Sequence, residues 1–173
     1  FVKDDGKGFV AAHSAITAFF SWPEFGEMIG GRFAQHPWGI TDASVVVEDP
    51  QFPAMLGFPA VSVLNDEHYQ LKDFSRDSVR VLARLDPSQH DLPRPLVHRT
   101  DGDFPVAWAK TYGKGRVFYS TLGHAAEAAV GAAVRRFRRH EQQVAVGRHV
   151  VLRRRAGLLL HQHRLLGVGA VLG

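Results

Sequence analysis

GKGFVAAHSAITAFF, residues 6–20, changes character halfway along. Gly6 and Gly8 punctuate a turn, and Phe9-Val10-Ala11-Ala12 is an apolar run of buried-strand length. At His13-Ser14 the pattern becomes helical. The expectation is strand, sharp turn, helix. Open α/β sheets bind ligands beyond the carboxyl ends of their strands, and the unpaired N–H groups of a first helical turn favour negative charge. Ala11, Ala12 and Ala15 leave room for a tight bend and a close neighbour. His13 is therefore the first candidate for chemistry. The plainer alternative is that His13 satisfies a local hydrogen bond and Ser14 caps the helix.

A chain of 173 residues with 45% hydrophobic content can bury one sizeable core. FVKDDG at the start reads as the tail of a helix closed by Gly6, so the chain is expected to begin inside a fold. There is no cysteine, which excludes a disulfide framework, a thiolate zinc site and a Cys nucleophile. No secretory leader pattern is visible, and cytoplasmic and exported locations both stay open. AGLLLHQHRLLGVGAVLG at 156–173 is interrupted by His161, His163 and Arg164 and falls short of a membrane span.

Charge is unevenly placed. Nine of the 21 Lys+Arg residues, all arginines, follow residue 129, where Glu141 is the lone acid. Residues 1–129 carry a net −4 and residues 130–173 a net +8. The sequence pI of about 9.8 is thus a property of the tail, and it does not mark the domain as a nucleic-acid binder.

Residues 16–31 continue as a helix broken at Ser21-Trp22-Pro23. Its second piece, PEFGEMIGGRF, places Phe25, Met28, Ile29 and Phe33 at helical spacing and closes at Gly30-Gly31. Residues 35–39 (QHPWG) form a loop. ASVVVE at 43–48 is a strand, and residues 59–64 are an extended segment delivering Asn65-Asp66-Glu67-His68-Tyr69 to its end. Residues 78–85 alternate as a half-buried strand, and 86–103 form a long loop. Residues 104–112 and 116–122, joined by Gly113-Lys114-Gly115, are a β-hairpin that presents His124 after Gly123. That glycine pair lacks the spacing of a phosphate loop.

Six blocks in this order resemble the ThuA-like, or trehalose-utilisation, family: GKGFVAAHSA (6–15), W-P-E-F…IGGRF-x-x-H (22–36), VVVEDPQFP (45–53), NDEHY (65–69), SVRVLARLD (78–86) and PVAWAKTYGKGRVFYSTLGH (105–124). The resemblance implies an α/β fold like that of class I glutamine amidotransferases, a flavodoxin-like three-layer sandwich. It also implies that the first strand and helices of that fold would precede Phe1. Amidotransferases carry a catalytic Cys at the elbow. ThuA-like proteins have His there, as at His13, which excludes thiolate glutaminase chemistry. The family is associated with disaccharide use alongside oxidoreductases that make keto-sugars.

The resemblance covers a domain of residues 1–127. Residues 128–173 are Arg-rich and without Asp, Asn, Lys, Trp, Tyr, Ser, Thr or Pro. They read as a natural basic appendage or as a frame-shifted end. The family's closing helix is unmatched there, which favours the second reading. The Arg153-Arg154-Arg155 run could attract RNA or lipid headgroups, and a tail foreign to the domain is the simpler account.

His13, His36, Glu67 and His124 come from four strand ends or loops that could converge above one sheet edge. His13, His36 and His124 could hold a divalent metal such as zinc with a position open to water. Without metal, Glu67 or His124 would be a general base, with His13 stabilising an oxyanion. No i, i+4 His pair favours the metal. A catalytically silent alternative is a sugar-binding or interaction domain in which Trp22, Trp38 and Tyr69 stack on the ligand. The leading expectation is a hydrolase or lyase of a disaccharide or keto-sugar derivative, able to self-associate. Its catalytic groups are His13, Glu67 and His124, and its substrate contacts are Trp22, His36 and Tyr69.

Overall fold

A computed structural model describes residues 1–89, 95–124 and, as backbone, 170–172. In chain order the elements are α1 (Val2–Asp5), β1 (Gly8–Ala12), α2 (Pro23–Ile29), β2 (Arg32–Gln35), β3 (Ile40–Val47), β4 (Val61–Glu67), β5 (Gln70–Lys72), β6 (Arg80–Leu85), β7 (Pro105–Tyr112), β8 (Gly115–Ser120) and β9 (Ala170–Leu172). The main sheet runs β4-β3-β6-β7-β8-β1-β9, and β2 pairs with β5 in a second, small sheet. This is an α/β fold with a mixed sheet, as expected. Its one parallel pair among the described residues is β1 with β8, in register from Gly8↔Arg116 to Ala12↔Ser120.

The apolar run of β1 is explained by burial on both faces, which removes the need for alternation. Phe9 and Ala11 pack with Ile16, Phe25, Ile29, Trp108 and Tyr119 on one face; Val10 packs with Leu82, Phe104, Val106 and Phe118 on the other. Fully burying a side chain such as Phe118 contributes about 2–3 kcal/mol. The hairpin is present, with Tyr112 opposite Gly115. Gly6 closes α1 in the left-handed region, as read from the sequence. Gly30 does the same for α2 at φ 96, where a Cβ would also lie 2.9 Å from Trp108 Nε1. The helix stops there because only glycine fits under that indole.

Four local expectations change. The helix after His13 is one 3-10 turn, His13–Thr17, ending where Ala18 turns extended, and the Arg32 guanidinium donates to the carbonyls of Ala18, Phe19 and Trp22 beyond it. Phe33 leaves the helix and starts the second sheet at Phe33↔Leu71. The strand placed at 43–48 begins earlier, at Ile40, because its first half pairs with β4. β6 is more than half-buried, with Val81, Leu82, Ala83 and Leu85 all inside, because it lies between β3 and β7.

β3 pairs with β4 from Ile40↔Glu67 to Val46↔Val61, but with β6 only through Val45–Val47. The first half of β3 and the second half of β4 therefore leave the sheet as a two-stranded arm. The proposed 127/128 boundary and most of the Arg-rich tail lie outside the described residues. Only 170–172 are described, pairing with β1 as β9.

Candidate active site

β1 and β8 are parallel, so their carboxyl ends share one edge. Immediately beyond the last pair, Ala12↔Ser120, come His13 and Thr121. His13 has φ 45, a conformation that costs a non-glycine residue about 1–3 kcal/mol and persists only where its surroundings impose it. Two contacts impose it. His13 Nδ1 lies 2.8 Å from the Thr121 carbonyl, and the Tyr119 hydroxyl donates to the His13 carbonyl at 2.6 Å. A carbonyl only accepts, so Nδ1 carries a proton and Nε2 of the neutral ring offers a lone pair.

Around Nε2 stand the Tyr69 hydroxyl at 2.8 Å, Glu67 Oε2 at 3.3 Å and His124 Nδ1 at 3.3 Å. Glu67 Oε2 and His124 Nδ1 are 3.2 Å apart. Burial, with the nearby charges of Glu67 and Asp66, pushes the Tyr69 hydroxyl well above its ordinary pKa, so it stays protonated and donates to Nε2. Exposure rises from 11% at the His13 side chain through 17% at Glu67 to 42% at His124, which sets the depth order of the site.

Four strands separate β4 from β1 in the sheet order, yet Glu67 touches His13. The β3–β4 arm makes this possible by folding back over the carboxyl edge. Asp66 locks it there. This fully buried carboxylate accepts the N–H groups of Glu67 at 2.9 Å, Gly123 at 2.6 Å and His124 at 3.0 Å. One side chain thereby sets both Glu67 and His124.

A family model described as ThuA, trehalose utilisation, matches residues 2–141. The chain belongs to the ThuA family. A ThuA-like protein from Bacteroides uniformis is similar at 27% identity and TM-score 0.61, covering 78% of this chain and 58% of its own. A ThuA-like protein from Parabacteroides merdae is 19% identical with TM-score 0.48, covering 72% of this chain and 52% of its own. This ThuA-family chain thus spans less than two thirds of the length of either structure. No curated protein matches it. No helix among the described residues is long and apolar enough to cross a membrane.

Of the residues expected in the site of this ThuA-family chain, His13, Glu67 and His124 come together, with donor atoms all within 4.8 Å. His36 is not in that group, which consists of two histidines and a carboxylate. His36 follows β2 beside Phe33, with ring centroids 6.0 Å apart and a buried Nδ1 that has no hydrogen-bond partner. Tyr69 and Trp38 are not stacking platforms, because their rings are 3% and 8% exposed and lie in the core. Tyr69 instead meets the site through its hydroxyl. Trp22 is 51% exposed, but it lines an apolar groove with Phe1, Phe9, Phe19 and Phe25, to which the trio contributes nothing.

The oxyanion role expected of His13 needs an N–H at Nε2, which the ring presents only when both nitrogens carry protons. Sequence reasoning missed Asp66, Thr121 and Tyr119. For Asp66 a signal existed in the NDEHY block, but which acid of the block points inward is decided by the strand's pleat.

Proposed function

We propose that this domain acts on a disaccharide or keto-sugar derivative by proton transfer at the His13–Glu67–His124 cluster. The convergence of these three groups at the β1/β8 edge supports the reading. Glu67 or His124 is the base for a sugar hydroxyl or for a C–H beside a keto group. His13 Nε2, fixed in direction by Thr121, relays or holds the proton, and the Tyr69 hydroxyl sits behind it as a fixed donor. A keto-sugar suits this arrangement because the proton beside its carbonyl is acidic enough for a carboxylate or imidazole to remove. The carbohydrate class comes from the family's link with trehalose utilisation. The absence of cysteine separates this chemistry from a thiolate glutaminase.

The test is a screen of trehalose, other disaccharides and their keto forms with wild-type protein and Glu67→Gln. Turnover of one sugar class that disappears in the variant, with sugar binding retained, is the expected result. Sugar binding without turnover in the wild type would make this a binding module, and neither binding nor turnover would remove carbohydrate as the ligand.

A further inference from the structure

We propose that His13 Nε2, Glu67 Oε2 and His124 Nδ1 are three ligands of a divalent metal ion of the zinc class, with the remaining coordination positions open to water or a sugar oxygen. The inference rests on the reading of this cluster as the reacting centre and names what the cluster holds; with the ion in place Glu67 and His124 would act as ligands rather than as the direct base.

The three atoms form a nearly equilateral triangle with edges of 3.3, 3.3 and 3.2 Å. Zinc bonds of about 2.0–2.1 Å in tetrahedral geometry place neighbouring ligand atoms about 3.3–3.4 Å apart. The triangle is therefore one face of such a tetrahedron.

With Nδ1–H of His13 spent on Thr121, a neutral ring leaves Nε2 as an acceptor, whose lone pair the Tyr69 hydroxyl also approaches at 2.8 Å. If His124 Nδ1 carries a proton, it serves its own two edges, and Nε2 then faces the Glu67 oxygen lone pair to lone pair. If His13 carries the extra proton instead, Glu67 and His124 face each other without one. If both rings carry protons, the His13–His124 edge sets N–H against N–H. With Glu67 as the carboxylate, each of these assignments leaves one edge of the triangle in conflict. A cation at the common focus of three lone pairs removes the conflict on all three edges at once.

Metal-binding imidazoles commonly donate their other nitrogen to a carbonyl or carboxylate, which fixes tautomer and ring direction. His13 does so to Thr121, and Asp66 holds the backbone of both other members. Two imidazoles and one carboxylate are a borderline donor set suited to zinc or a neighbouring transition ion, rather than the all-oxygen set that calcium or magnesium takes.

The test uses the untagged full chain, stripped with chelator and titrated calorimetrically with Zn²⁺ alone. The expected result is one ion per chain, with affinity reduced about 100-fold or more in Glu67→Gln and in His124→Ala and unchanged in His36→Ala. His124 is the most exposed member, so His124→Ala leaves the core intact, and matched circular dichroism keeps unfolding from imitating ligand loss. Absence of stoichiometric binding, binding that survives both substitutions, or equal loss in His36→Ala overturns the proposal. Turnover of sugar by the stripped protein, undiminished by chelator, would overturn the metal and leave the carbohydrate reading standing. Tight zinc with no sugar bound or turned over would do the reverse.

Discussion

His13 and His124 meet in one cluster but are held in different ways. The His13 ring is nearly buried, with Nδ1 on Thr121 and Nε2 against Tyr69, and its carbonyl takes the Tyr119 hydroxyl. His124 is far more exposed, and its backbone is tied down through Asp66, 58 residues earlier in the chain. The first histidine is placed by the β1/β8 edge itself, so anything that builds those two strands builds it. The second is placed by a single carboxylate on an arm that must first fold back. One half of the site is therefore intrinsic to the core, and the other is conditional on long-range closure.

The largest effect should come from removing the group both halves share. Glu67→Gln is expected to lower turnover by about 10²–10⁴-fold with little change in unfolding midpoint, the range typical of a lost general acid or base. A fall of less than tenfold would show that the two histidines do the chemistry without it.

Breaking the conditional half alone is the purpose of Asp66→Asn. It keeps an acceptor oxygen but sets an NH₂ group against a backbone N–H, and should cost about 2–3 kcal/mol in urea unfolding. Activity should fall further than stability alone explains, because Glu67 and His124 lose their common tether. An unchanged midpoint would mean that the 121–124 segment is held by something else.

The intrinsic half is probed more gently by Tyr69→Phe, which deletes the donor to His13 Nε2 and leaves the ring packing in place. About 1 kcal/mol of stability should be lost. The pH profile of turnover should shift, since the variant changes what His13 shares its lone pair with. A profile identical to wild type would make Tyr69 a packing residue only.

The smallest effect concerns His68, fully buried behind the site with Nε2–H donated to the Thr41 carbonyl at 3.0 Å. Burial holds its pKa below 6.5, against the opposing pull of Asp66 and Asp42. The unfolded chain then binds more protons than the folded one between the folded pKa and 6.5. Its contribution to stability is complete above 6.5 and is lost as pH falls through that window. Urea midpoints measured from pH 7.5 downward should decline more steeply in wild type than in His68→Gln, and parallel curves would contradict the assignment.

Much of the fold was legible from local pattern. The two-glycine turn between residues 112 and 115, the uninterrupted apolar run of β1 and the glycine stops at Gly6 and Gly30 each answer to a rule acting within a few residues. The residue types of the site were also legible, because polar groups at strand ends stand out against an apolar background. Its membership was less so. Trp22, Trp38 and Tyr69 look alike as candidate stacking rings, yet Trp38 sits against Phe104 with centroids 5.2 Å apart while Trp22 faces outward. His36 directly follows β2 and His124 lies just beyond the end of β8, and only the second is drawn in.

By itself the sequence determined the strand-and-elbow at residues 8–13, the hairpin, the family and the absence of thiol chemistry, all of which depend on neighbours along the chain or on composition. The tertiary structure alone decided that the β3–β4 arm bends over the β1/β8 edge, that Asp66 faces inward to bind it, and that His36 stays out of the cluster. Those outcomes depend on contacts between residues 50 to more than 100 positions apart. Such contacts form only when burial of the whole sheet has brought those residues together.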